Sequence, residues 1–107
     1  MTETITLAHD QKFFDGHSPM FTQDGDNRYN LVFLRTQQNY ANDSLRKRGH
    51  VFLNEIYDMV GLPRTAEGAV GGWTVQSGRS VDFGIEVLEQ GLILLNFDIE
   101  ENILSVL

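Results

Sequence analysis

Apolar residues recur at helical spacing through the middle of the chain and at alternate positions through its last third. Leu31, Leu34, Ala41 and Leu45 fall on one stripe, which predicts a helix over Leu31–Lys47. Gln38 interrupts that stripe. Asp26, Asn27 or Asn30 suits the start of this helix, because a short side-chain acceptor takes up an orphan amide proton there. Gly49 suits the end. Phe52, Leu53, Ile56, Tyr57 and Val60 give a second helix, over His50–Val60, a wide apolar face, with Asn54, Glu55 and Asp58 opposite. Gly61 followed by Pro63 stops it.

After Pro63 the period changes from about three and a half residues to two. Trp73 and Val75 alternate with polar neighbours in Val70–Gln76. Val81, Phe83, Ile85 and Val87 alternate with Asp82, Gly84 and Glu86. Ile93, Leu95, Phe97 and Ile99 share one face of Leu92–Ile99, and Leu92 and Leu94 on the other face suggest burial from both sides. The turns Ser77-Gly78-Arg79, Glu89-Gln90-Gly91 and Glu100-Glu101-Asn102 separate these runs, and Ile103–Leu107 forms either a last short strand or a helical turn. Loops this short join antiparallel neighbours. The expected fold is α+β: a two-helix hairpin packed on a three- or four-stranded antiparallel β-meander. The chain reads as one domain over 1–107, with an irregular N-terminal segment 1–27, the helical pair 28–62 and the sheet 69–107. Within the first segment Thr4–Ala8 reads as a short strand, and the rest as loop anchored by Phe13–Phe14 and Met20–Phe21.

Charge alters this picture more than composition does. The net charge of −7 is unevenly spread. Residues 1–27 hold one Lys and five acids, for −4; residues 28–64 hold six cations and three acids, for +3; residues 65–107 hold one Arg and seven acids, for −6. The helical pair is therefore a basic island in an acidic chain. Overall acidity argues against non-specific nucleic-acid binding, which depends on neutralising phosphates. The island still allows a local contact. Arg35, Asn39, Asn42 and Arg46 line one stripe of the first helix, and Lys47 and Arg48 continue it into the turn. Amides and cations so arranged suit phosphates, base edges or a protein partner. The plainer reading is a solvated face whose cations neutralise a helix C-terminus.

Other chemistry is sparse. Absence of cysteine excludes disulfides, thiolate zinc sites and cysteine nucleophiles, and is compatible with a cytoplasmic location. The polar, acidic start does not read as a signal peptide, and no apolar run approaches the roughly 20 residues of a membrane span. His9, Asp10, Asp15 and His17 are metal-capable types at a spacing that matches no metal site, and Asp24-Gly25-Asp26-Asn27 lacks the glutamate that completes a calcium loop. Glu55 and Asp58 lie one turn apart but read as solvated helix carboxylates. No catalytic residue, metal ligand or cofactor is nominated, so the expected protein is not an enzyme.

The run RTQQNYANDSLRKRGHVFLNEIYDMVGLPRTAEGAVGGW, with VDFGI and ILLNFDI downstream, resembles a group of small uncharacterised bacterial proteins of phage-like and conjugative elements. The resemblance covers about residues 33–99. It implies an accessory protein of a mobile element that acts by binding a host protein. Such proteins include anti-CRISPR-like inhibitors that present carboxylates to a host nucleic-acid enzyme where phosphates would sit. Asp82, Glu86, Glu89, Glu100 and Glu101 are the acidic residues suited to that role, since an acidic patch is drawn to a basic channel. The alternative expectation is a nucleic-acid-binding accessory factor using Arg35, Asn39, Asn42, Arg46, Lys47 and Arg48.

Overall fold

A 21-residue helix, α1 (Arg28–Arg48), is the longest element of the computed structural model, which describes residues 7–8, 10–23 and 27–107. Its apolar stripe is the expected one: Leu34, Ala41 and Leu45 are buried, and Gly49 ends the helix with its N–H on the Leu45 carbonyl at 2.8 Å. The start differs from expectation. Asn27 precedes the helix in a left-handed conformation and donates from Nδ2 to the Gly91 carbonyl at 2.6 Å, while Asn30 turns inward.

The second helix, α2 (Leu53–Val60), begins three residues later than the apolar pattern predicts. His50–Phe52 forms strand β2 instead, antiparallel to β3 (Gly72–Thr74) with Val51 opposite Trp73. Glu55 sets this boundary by accepting the Phe52 N–H at 2.8 Å, which satisfies an orphan donor at the start of α2. The helical pair is thus separated by a strand. The fold is nonetheless α+β, with two helices and antiparallel sheets.

Strand β1 (Gln11–Phe14) lies in the segment that reads as loop. It pairs antiparallel with β5 (Ile93–Asn96), Lys12 opposite Leu95, and β5 pairs on its other side with β4 (Glu86–Val87). The sheet order is β1-β5-β4, so consecutive strands do not simply meander. The β2–β3 ribbon is a separate two-stranded sheet, and Gly72 of β3 exchanges hydrogen bonds of 3.0 and 2.9 Å with Glu100, four residues after β5 ends. Four residues of β1 are too few to show a period, and its partner lies some eighty residues away in the chain. The expected strand over Thr4–Ala8 falls largely outside the described residues, as do His9 and Asp24, Gly25 and Asp26.

Of the alternating run Val81–Leu88, only Glu86–Val87 pairs as a strand. Val81 and Phe83 are buried as the alternation requires, but Gly84 has φ of 56°, which only glycine adopts readily, and it bends the chain away from a regular ladder. Backbone partners come instead from α1. The Asn42 side chain accepts from Val81 N at 2.8 Å and donates to Val81 O at 3.0 Å, and Gln38 Oε1 accepts from Phe83 N at 2.9 Å. Two other asparagines do the same elsewhere. Asn30 holds both backbone groups of Thr22 at 2.8 Å, and Asn54 holds those of Thr65 at 3.0 and 2.9 Å. Four helical amides, Gln38 and the three asparagines, therefore tie irregular segments to a helix, satisfying backbone groups that have no strand partner among the described residues.

Ile93, Leu95, Phe97 and Ile99 form the buried face of the β5 run as expected. Phe97 sits among the rings of Tyr57, Trp73 and Phe83, with centroids 5.7, 6.4 and 5.5 Å away, all edge-on. Ile103–Leu107 takes the helical option, a 3₁₀ turn over Leu104–Val106. Tyr57 is fully buried, and burial, with the charges of Asp10 and Glu67, pushes its phenol up to about 12. The folded chain holds this proton more tightly than the unfolded one. That stabilisation is complete below about pH 10 and is lost as pH rises through about 12. Tyrosinate absorbance followed with near-ultraviolet circular dichroism should show the last phenolate appearing together with loss of tertiary structure.

Candidate functional site

Half of the basic island's six cations are ion-paired within it, and its net charge stays +3. All three acids of residues 28–64 pair with cations of the same segment. Asp43 pairs with Arg46 one turn along α1. Asp58 receives Arg64 Nε at 2.9 Å, and that hydrogen bond holds its carboxyl below the usual range. Glu55 receives Arg48 Nη1 and Nη2 at 2.6 and 2.9 Å. Partial burial pushes the Glu55 carboxyl up, but the Arg48 hydrogen bonds, the Phe52 N–H and the nearby positive charge outweigh it and lower it overall. Of the six residues expected to meet nucleic acid, Asn42 clamps Val81, and Arg46 and Arg48 are ion-paired. Arg35, Asn39 and Lys47 stay exposed on α1, and among the described residues Arg35 and Lys47 have no ion pair.

The acidic set is arranged differently. Asp82, Glu86, Glu89 and Glu101 are exposed and Glu100 is half-buried, and none of the five has an ion pair among the described residues. They do not share one face. Glu86 and Glu89 lie on β4 and on the 3₁₀ turn Glu89–Gly91 that leads into β5. Asp82 lies before the Gly84 bend, where Oδ1 accepts the Gly84 N–H at 2.8 Å, and it lines an open cleft of about 340 Å³ with Arg79, Asn96 and Asp98. Glu100 belongs to the bridge with Gly72, and Glu101 follows it. The expected strand face carrying both Asp82 and Glu86 is absent because residues 81–85 are not a strand.

The β4–β5 hairpin also exposes apolar side chains. Val87 is 49% exposed and Leu92 37% exposed, beside Glu86 and Glu89. No Lys, Arg, His or Pro occurs between Ser80 and Leu107, so nothing in this stretch of chain offsets its acids. Val87 pairs with Ile93 and Leu92 is the residue before Ile93, so alternation puts the two exposed side chains on opposite faces of the hairpin.

The amide clamps and a cleft beside His50 and Thr74 are the features that sequence reasoning missed. For the clamps a signal exists: Asn30, Gln38 and Asn42 flank the buried stripe of α1, where apolar residues would otherwise sit. Among the described residues no group of three or more His, Asp or Glu is arranged to hold a metal ion, and no helix is long and apolar enough to cross a membrane.

No curated protein and no solved structure matches this chain. Residues 1–107 match a family described as "Family of unknown function (DUF6353)", and the chain belongs to that family.

Proposed function

We propose that this protein is a non-enzymatic, cytoplasmic accessory protein of a mobile element. It acts by binding a host protein through the acidic β4–β5 hairpin, in the manner of an anti-CRISPR inhibitor that occupies the basic channel of a nucleic-acid enzyme. One observation supports this surface over the basic one. Three of the six cations of the helical segment are held in ion pairs within it, whereas among the described residues Glu86 and Glu89 have no ion pair. Unpaired charge speeds encounter with a complementary surface.

The second reading, nucleic-acid binding through α1, draws support from Arg35, Asn39 and Lys47, which remain exposed. Affinity capture from host lysate, with and without nuclease, separates the two. A protein partner should persist after nuclease and be lost from the Glu86→Lys, Glu89→Lys double variant. Capture that vanishes with nuclease, or with Arg35→Glu and Lys47→Glu while the hairpin is intact, transfers the function to α1.

A further inference from the structure

Strand β4 is one edge of the three-stranded sheet, with β5 on one side of it only. The ladder fixes which of its backbone groups face outward. Leu88 N donates to Leu92 O at 2.7 Å, and Asn96 N to Gly84 O at 3.3 Å. Gly84, Glu86 and Leu88 therefore turn their backbone groups toward β5, and Val87 opposite Ile93 is a non-hydrogen-bonded pair. The N–H and C=O of Ile85 and Val87 point away from the sheet and make no hydrogen bond among the described residues. The side chains of Glu86 and Val87 lie on opposite faces and both are exposed, so neither face of this edge is covered.

An open edge is a template for a further strand unless something guards it. The opposite edge, β1, is guarded. Lys12 lies opposite Leu95 on the core face, with its ammonium 5.9 Å from the centre of the Tyr57 ring. An inward-pointing charge of this kind obstructs strand addition. At β4 the guard is Glu86, in a stretch that holds no Lys, Arg, His or Pro from Val81 to Leu107. A carboxylate repels an acidic strand and attracts a basic one. It also disfavours a second copy of this chain. In the antiparallel register that uses both Ile85 and Val87, the two Glu86 side chains would meet directly opposite one another.

We propose that the outer edge of β4 accepts an extended basic peptide as a fourth strand, antiparallel to Ile85–Val87. Main-chain hydrogen bonds to Ile85 and Val87 supply affinity, and side chains at alternate positions supply selectivity. Residues opposite Ile85 and Val87 carry the hydrogen bonds and lie beside the exposed Val87 side chain. Residues opposite Glu86 lie on its face, where a cation is favoured. The inference rests on the acidic-hairpin reading and names the form of its partner: an extended segment with cations at alternate positions.

A short peptide of alternating valine and lysine, titrated into the full chain and followed by backbone amide NMR, tests it. The peptide should shift the amides of residues 84–88 saturably and slow exchange of the Val87 N–H. Two methylated versions separate strand addition from charge alone. N-methylation of the valines removes the N–H groups that would bond Ile85 and Val87, and should weaken binding about tenfold. N-methylation of the lysines alters the far edge of the peptide and should leave affinity within about threefold. Val87→Pro removes an outward N–H and no ladder bond. It should weaken the parent peptide about tenfold, with near-ultraviolet circular dichroism unchanged. Equal affinity of all three peptides, with shifts still at residues 84–88, would overturn strand addition and leave the acidic docking surface standing. Shifts confined to α1, or no binding of the parent peptide at the hairpin, would overturn both.

Discussion

Replacing Asn42 with alanine is expected to destabilise the fold by roughly 2–3 kcal/mol, several times the effect of an ordinary surface change. The reason is the number of groups it strands. Asn42 serves both backbone groups of Val81, a residue 1% exposed, and its amide also reaches the Gln38 carbonyl at 3.2 Å. Alanine restores neither bond, and among the described residues Val81 pairs with no strand. Asn39, one turn earlier, is the control. Its side chain is exposed and makes no hydrogen bond among the described residues, so Asn39→Ala should stay within about 0.5 kcal/mol of the parent. Denaturant unfolding gives both values, and amide hydrogen exchange locates the cause: Val81 N–H should exchange fast in Asn42→Ala alone. Equal stability of the two variants would show that the clamp is incidental.

Phe97→Ala is expected to cost more, roughly 3–5 kcal/mol, the range for deleting a fully buried aromatic ring. Phe97 is fully buried, and three aromatic rings from α2, β3 and the Val81–Phe83 segment meet it edge-on. Its removal opens one cavity shared by elements that have few other contacts with one another. The single tryptophan reports the outcome directly. Trp73 is 1% exposed, and its Nε1 has no hydrogen-bond partner among the described residues, so exposing it to water shifts its emission. A red shift of that emission with a lower unfolding midpoint is the expected result. Phe97→Leu, which keeps most of the volume, should recover much of the loss.

The two cases also show which parts of the fold local pattern reveals. Leu34, Ala41 and Leu45 on α1, Gly49 and Gly61 at the helix ends, and the face Ile93, Leu95, Phe97 and Ile99 follow local period and turn chemistry, and all are legible in the sequence. The alternation of Val81 and Phe83 correctly marks burial but not pairing. Period two says which side chains point inward, and it is silent on whether the backbone finds a strand or the amides of Gln38 and Asn42. Strands β1 and β2 are short, and each is fixed by a partner remote in sequence, Ile93–Asn96 and Gly72–Thr74 respectively. The charge island is visible as a sum, but which of its cations Asp43, Glu55 and Asp58 take up requires geometry: Arg48 reaches Glu55 across a strand, seven residues on. For the same reason the six candidate cations and amides of α1 reduce to Arg35, Asn39 and Lys47, and the five acids divide between hairpin, bend and bridge.

Hydrogen-exchange mapping of the protein with its captured partner tests the acidic hairpin most directly. Binding through the hairpin should slow exchange of the amides from Ile85 to Ile93 and leave the exposed side of α1, from Arg35 to Lys47, unchanged. Slowed exchange on α1 with an unaltered hairpin would contradict it and assign recognition to the basic helix.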